Sequence, residues 1–571
     1  MKKIAFLTLA LSLTLGLFAQ HNEEVTIEGT YRPKVNKVDK ILLKPETPEQ
    51  VFTMPEAKVE VLDIEHSFHL EMDKLNPLNY NTGKGFGDNN AKNFVLAGFG
   101  SRITPVFLFK HNSNLTKNLG LGIGLKHYSS WLDIKEYAPS SFMNNAVEIG
   151  LTSNGYDDMK LGFNVYYKND TYHYYGIKLA DWTGSEQLLS HAAPSQMYNT
   201  VGAHLGLTST NTRLGEYNHN LGVDYHYLFG SVGDGKEHFA GLDYDLGYVN
   251  GWWGKKSSSQ KLGVVLGAQY GYNEFVEQNG ISRLLVKVNP YFEMKDDFYR
   301  LRLGARVDAA TKLKSTEGLV KVYPDVKGSL FVLNKALEFY AGLNGGRKFY
   351  SYSDLLEENP FMATKLKLEV TNVKLGFDGG FRTNILNTLD IHVGVRYRHT
   401  DNDPFFRQRI LPPYEGMTMD RPYNSFDLVY DETRLVSVLG NIRWLALDKL
   451  TVDAGFTYNN CNPEKEEHAW YRPTTEGNLK LNYQLNDVLS FNANFLYQGG
   501  RWGQQAAHSG LAAESVKLDD VYDLGLGAEY MIRDRFTVFV KADNLLNRKY
   551  QLYLDYPVTG IEAFVGLKMA F

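Results

Sequence analysis

Several short runs in this chain carry residue types that could do chemistry. Gly230-Ser231-Val232-Gly233-Asp234-Gly235-Lys236 has the glycines and the lysine of a loop that cradles phosphate. That chemistry also needs Ser or Thr after the lysine, to hold magnesium, and a helix N-terminus facing the phosphate. Glu237 stands there instead, and a strand pattern follows it, so a glycine-rich hairpin is expected. Gly120, Gly122 and Gly124 likewise read as one face of a strand, not a dinucleotide fingerprint. Glu464, Glu466, Glu467 and His468 lie near Cys461 and carry groups that ligate divalent cations. Their spacing matches no defined site, and a solvated charged loop is the simpler reading. Asp401-Asn402-Asp403 offers oxygen ligands for calcium without the rest of a calcium loop. Ser258 and Lys261 fall in a serine-rich turn, and His173, His219, His226 and His238 lack ligand spacing. No nucleophile, base and orienting group assemble from these residues. No catalytic, cofactor-binding or metal residue is therefore assigned, no cofactor is expected, and an enzyme is not expected.

The elements that must position these residues alternate with period two. Leu119, Ile123 and Leu125 alternate with glycines and Lys126; Leu389, Ile391, Val393 and Val395 alternate with Asp390, His392, Gly394 and Arg396. Leu450–Tyr458 and Leu489–Tyr497 repeat the pattern. In the last strand Ile561, Ala563, Val565, Leu567, Met569 and Phe571 share one face, and Glu562, Phe564, Gly566, Lys568 and Ala570 the other. A soluble sandwich also alternates. The runs here suit the ~9–11 residues of a tilted membrane strand, against about 5–6 for an ordinary strand. Alternation then puts one face in lipid and the other in a polar lumen.

The N-terminus reads as a secretory signal over 1–19. Lys2 and Lys3 precede the apolar run Ile4–Phe18, and Leu17-Phe18-Ala19 offers a cleavage site. No cysteine follows it, which closes the lipoprotein route. The sole cysteine, Cys461, is expected to be a free thiol. No later stretch approaches the ~20 apolar residues of a spanning helix. Aromatics make up 13%, with 37 Tyr and 32 Phe, as two interfacial girdles would require. The net charge of -5, or -7 without Lys2 and Lys3, argues against a nucleic-acid partner.

The end of the chain carries a family resemblance. Asn544-Leu545-Leu546-Asn547-Arg548-Lys549-Tyr550, then Tyr556-Pro557 and Gly560, is similar to the loop before the last strand of TonB-dependent receptors. The resemblance implies an all-β, transmembrane, antiparallel up-and-down barrel of about 22 strands in the bacterial outer membrane, over 92–571. It implies lipid and, during insertion, the barrel-assembly machinery as partners, with Phe571 as the C-terminal assembly signal.

Strand counting tests this. Read as a hairpin turn, Asn169-Asp170 gives 23 strands, and the two halves of the chain then disagree about which side is outside. Read as one long strand, 159–178 gives 22 and restores agreement. Tight turns are expected at 294–298, 333–336, 384–387, 447–449, 485–487 and 533–535. Longer external loops are expected at 348–368, 400–431, 460–471, 499–517 and 544–558.

The family has a plug of well over a hundred residues before its barrel, and here ~70 residues separate the signal from the first strand. Glu23–Arg32 resembles the first plug strand; then Pro33, Pro45, Pro48 and Pro55 punctuate a Lys- and Glu-rich stretch. No TonB box is evident beyond a degenerate candidate at Glu23–Glu28, so an interaction with TonB is doubtful. A wide barrel needs something in its lumen. The candidates are residues 21–91 as a reduced plug, inward-folded loops, or a partner protein. Lumen-facing Arg300, Arg302, Arg306, Asp308, Asp390, Arg396 and Arg398 suit either an anionic solute or pairing with plug carboxylates. Phe405, Phe406, Arg407, Arg409, Tyr414, Arg501 and Trp502 are candidate contact residues of an external vestibule. Solute uptake is the leading function. The alternatives are a non-catalytic subunit of a secretion or barrel-assembly complex, with 20–91 as a periplasmic docking arm for protein partners, and a passive diffusion pore.

Overall fold

The computed structural model describes residues 92–571, apart from short segments at 155–157, 210–212, 253–257, 276–277, 312–318, 364, 387, 508–512 and 534. The expectations for residues 1–91 lie outside the described residues. Alternation does what period two requires. Along the last strand, Glu562–Ala570, Val565 and Leu567 are 53% and 51% exposed, while Glu562 and Lys568 are 6% and 5% exposed. The exposed face is the one that meets lipid.

Twenty-two antiparallel strands form one sheet. The first strand, Asn93–Gly100, pairs with the last in unbroken register from Phe94↔Ala570 to Gly100↔Phe564, which closes the sheet into a barrel. Closure removes both edges, and every backbone ladder is satisfied inside lipid. The termini of the sheet meet at one end, where Asn93 N–H donates to Phe571 O at 2.8 Å and Phe571 N–H to Asn93 O at 3.0 Å. Short turns lie at that end and long connections at the other, the arrangement of periplasmic turns and external loops. At the seam Gly98 faces Gly566, and the Phe539 ring lies across them; a Cβ on Gly566 would come 2.6 Å from that ring. The aromatic covers the gap that the close approach requires.

Asn169 and Asp170 sit inside one strand, Met159–His173, so the count of 22 stands. That strand stops at His173, short of residue 178. The expected turns fall where the sequence placed them, from 296–298 to 535. The expected loop 400–431 is corrected. Leu389–Ile410 and Asn424–Leu447 are strands of 22 and 24 residues. Each is far longer than a membrane crossing needs, so the hairpin projects beyond the bilayer and only 411–423 connects it. A register shift between Thr400 and Asp403 marks where it leaves the wall, and Asn402 there takes a left-handed backbone with φ 53°. The polar and turn-forming residues around 401–404 resemble a loop because a bulge uses the same residue types.

Candidate functional site: a closed mouth over a charged lumen

The external loops pack on one another. Tyr198, Tyr352, Phe426, Trp470, Tyr553 and Tyr556 belong to one buried cluster, although their elements come from all around the barrel. Tyr352 opens a short helix, Tyr352–Glu358, capped by the Ser351 side chain. Glu237 completes that cap. It is fully buried and accepts from Tyr352 N–H at 2.6 Å, Ser353 N–H at 3.1 Å and Asn273 Nδ2 at 2.8 Å, with His226 Nε2 at 3.1 Å. The residue that spoils the phosphate-loop reading is thus an anion set on orphan amide donors of a helix start.

Polar bonds then tie opposite walls together. Asn424 is fully buried; its Nδ2 donates to Gly176 O at 3.0 Å and Asp555 Oδ2 at 3.3 Å, and its carbonyl accepts from Tyr556 OH at 2.6 Å. Gln408 Nε2 donates to the same Asp555 at 2.9 Å. Arg421 N–H donates to His191 O at 3.0 Å and Tyr423 N–H to Ala192 O at 2.8 Å. Residues 174–194 follow the fifth strand and 411–423 the fifteenth, ten places apart in a closed ring of 22. These contacts therefore cross the mouth from side to side.

A third tie latches 464–474 to the projecting hairpin. Arg472 Nη1 and Nη2 donate to Asp403 Oδ2 at 2.6 Å and Oδ1 at 2.8 Å, and its guanidinium lies 4.4 Å from the centre of the Phe405 ring. Thr433 Oγ1 also donates to Asp403, at 2.8 Å. Asp403 is occupied by this fork, and Asp401 Oδ2 lies 3.7 Å from Lys374 Nζ. Glu466 accepts from Trp470 Nε1 at 2.8 Å and Glu467 from Ser515 Oγ at 2.5 Å, so the acidic run braces the cap. Among the described residues no three His, Cys, Asp or Glu side chains converge on a metal position.

Burial pushes the Glu358 carboxyl up to about 7, with Asp403 adding to it and Arg472 and Lys348 opposing. A carboxyl raised from its ordinary 4.5 favours the folded cap fully below about 4.5, and that contribution is lost as pH rises through about 7. Hydrogen exchange in 352–358, corrected for intrinsic rates, is expected to be slower at pH 5 than at pH 8. Glu358→Gln should flatten the difference; an unchanged profile would show that another group sets it.

Below the cap the lumenal charges are paired within the wall. Arg302 Nε meets Asp325 at 2.9 Å and Arg306 Nε meets Asp308 at 2.7 Å. Arg396 and Arg398 share Asp378 at 3.3 and 2.8 Å, and Asp390 accepts from Asn384 Nδ2 at 2.5 Å. Arg300 stands near the turn end of its strand, opposite Lys295. The carboxylates belong to the barrel itself: Asp325 and Asp378 stand on strands neighbouring their arginines, and Asp308 on the same strand as Arg306.

The loop residues singled out by sequence divide. Phe405 and Phe406 are buried in the cap. Arg501 is buried too, and donates to the carbonyls of Asp519 at 3.0 Å and Gln551 at 2.9 Å. These three hold the cap and do not face outward, because neighbouring loops fold over them. Trp502 stacks on His468 at 4.2 Å, and Arg409 meets Asp427 at 3.2 Å. Arg407 is exposed and Tyr414 is 61% exposed. Sequence reasoning missed Asn424, Gln408, Asp555 and Arg472. Nothing in their local pattern marks them, since their partners lie far along the chain.

A closed barrel of 22 strands, apolar outside and polar inside, with long loops at one end, is a protein of the bacterial outer membrane. Its fold is that of TonB-dependent receptor barrels. The ferric-catecholate import receptor Fiu of E. coli K12 superposes with a TM-score of 0.60 over 85% of this chain and 82% of its own, at 10% identity. The pyoverdine receptor FpvA of Pseudomonas aeruginosa PAO1 gives 0.62 over 84% and 78%, at 14% identity. The siderophore receptor PiuA of Acinetobacter baumannii gives 0.58 over 84% and 82%, at 10% identity. These identities make the likeness one of fold. The proteins carry names of receptors, not of enzymes. No protein-family model and no curated protein matches the sequence.

Proposed function

We propose that this barrel takes up a solute across the outer membrane, and that the interlocked external loops are its outer gate. The observation that carries this reading is the set of contacts from 174–194 to 411–424 across the mouth. A passive pore has no use for a cap with a shared hydrophobic core. The fold likeness to import receptors for iron chelates makes a metal-bearing chelate the first solute to try. The charged lumen below the cap suits passage of a polar solute.

The test is a reversible lock. His191 and Arg421 flank a backbone hydrogen bond, which brings their chain positions within disulfide reach. In a Cys461→Ser background, His191→Cys with Arg421→Cys is expected to stop uptake of ferric siderophore under oxidising conditions and restore it on reduction. Uptake that ignores the lock would remove the gate.

A second reading, a non-conducting subunit of an outer-membrane complex, is favoured by the tightness of the same cap. Arg472 and Asp403 make a two-toothed fork of the kind that holds a fixed interface. It predicts no uptake in either redox state, and stoichiometric partners after mild solubilisation.

A further inference from the structure

We propose that the outer wall at the barrel seam holds one anionic membrane lipid, with its phosphate at Arg548 and Lys549 and an acyl chain in the apolar groove beneath. The groove has a volume of about 690 Å³ and lies on the lipid-facing side. Its lower row runs from Phe491 through Ala528, Val540 and Val565 to Phe99 in direct register across five strands. Phe491 and Phe99 are exposed and form its two banks. The next row toward the external end is Leu526, Ala542 and Ala563, again in register. Ala528, Ala542 and Ala563, set between the two aromatic banks, leave a furrow in the wall.

A second hollow, of about 490 Å³ and lined by Tyr522, Leu546, Asn547 and Arg548, lies nearer the loops on the same side of the barrel. Tyr522 lies on the lipid-facing side of the strand that also carries Leu526 and Ala528, one end nearer the loops. Its ring packs 5.2 Å from that of Tyr497, as in an interfacial girdle. Arg548 and Lys549 are exposed at this level, and among the described residues neither side chain makes an ion pair. Two cations beside an open apolar furrow match a lipid that carries both phosphate and acyl chains. Arginine suits phosphate by its planar fork of donors. A protein wedge would fill the slot without using the cations, and free phosphate would use the cations without the slot.

The experiment is native mass spectrometry of the full-length protein in detergent with added diphosphoryl lipid A as the probe. The wild type is expected to retain one lipid A. Arg548→Glu with Lys549→Glu, and separately Ala542→Trp, should each lower retention roughly tenfold, the effect of losing one charge-assisted contact or its equivalent in packing. Ala305→Trp, exposed on the eleventh strand halfway round the barrel, should not. Excess inorganic phosphate should leave the lipid bound. Equal retention in all variants would overturn the proposal. Loss in the charge-reversed variant alone, or displacement by phosphate, would overturn the groove. Folding is followed by the heat-dependent electrophoretic shift of the barrel, and Ala563→Leu is the milder filling variant should Ala542→Trp not fold.

Discussion

Replacing Asn424 by leucine is expected to release the two sides of the cap from each other. The side chain is fully buried, and its Nδ2 meets acceptors on two loops: Gly176 O at 3.0 Å, with Asp555 Oδ2 at 3.3 Å and Leu554 O at 3.5 Å. Leucine has similar bulk and no donor. Each buried acceptor left without a partner costs about 1–3 kcal/mol; Gly176 O loses the Asn424 donor, while Asp555 keeps Gln408 Nε2 and loses one of its donors. A local loss of about 3 kcal/mol corresponds to a ~100-fold rise in opening. Amides of 174–177 and 551–556 should exchange faster by about that factor, while those in the membrane wall should not change, because loops and wall open independently. Asn424→Asp, which keeps the bulk but sets a second carboxylate beside Asp555, should be at least as damaging. Protection equal to the wild type in both variants would show that the aromatic cluster alone closes the mouth.

The second large effect is expected at the latch. Asp403→Ala leaves Arg472 without its carboxylate, beside Cys461 and the Phe405 ring. A fully buried pair broken from one side costs about 3–5 kcal/mol. Here the two side chains are 26% and 12% exposed, so water recovers part of the loss, and about 2–3 kcal/mol is expected. Arg472→Met removes the charge along with the partner and keeps most of the stem, so it should cost less than Asp403→Ala even though both break the same fork. Protease nicking in 464–474 reads the difference: faster in Asp403→Ala, intermediate in Arg472→Met. The reverse order would mean that packing of the arginine stem on Phe405 outweighs its charge.

The same two residues show where sequence stops informing. Asp403 is visible as part of Asp401-Asn402-Asp403, a run whose composition fits a calcium loop, a turn or a bulge equally well. Only the arrival of Arg472, 69 positions later, decides that it is an ion-pair partner. Glu237 was legible as the residue that breaks a phosphate loop, but not as the acceptor for a helix start 115 positions away. Phe405, Phe406 and Arg501 have the composition of contact residues, and burial under neighbouring loops made them supports.

What the sequence determined by itself is everything with period two. Alternation along Leu389–Val395 or Ile561–Phe571 follows from the backbone of each strand alone, because successive side chains of an extended chain point to opposite sides. From that came the lipid face, the lumen face, the number of strands and, through the parity of 22, the side on which the long loops lie. Even the correction at Asn169-Asp170 needed only polarity, since one miscounted strand reverses every later one. The closed mouth was decided by tertiary structure. Gly176 and Asn424 are 248 positions apart, one in a loop and the other at the outermost end of the projecting hairpin. They meet because barrel closure places the fifth and fifteenth strands on facing walls, and the loops between strands have no repeat of their own from which that meeting could be read.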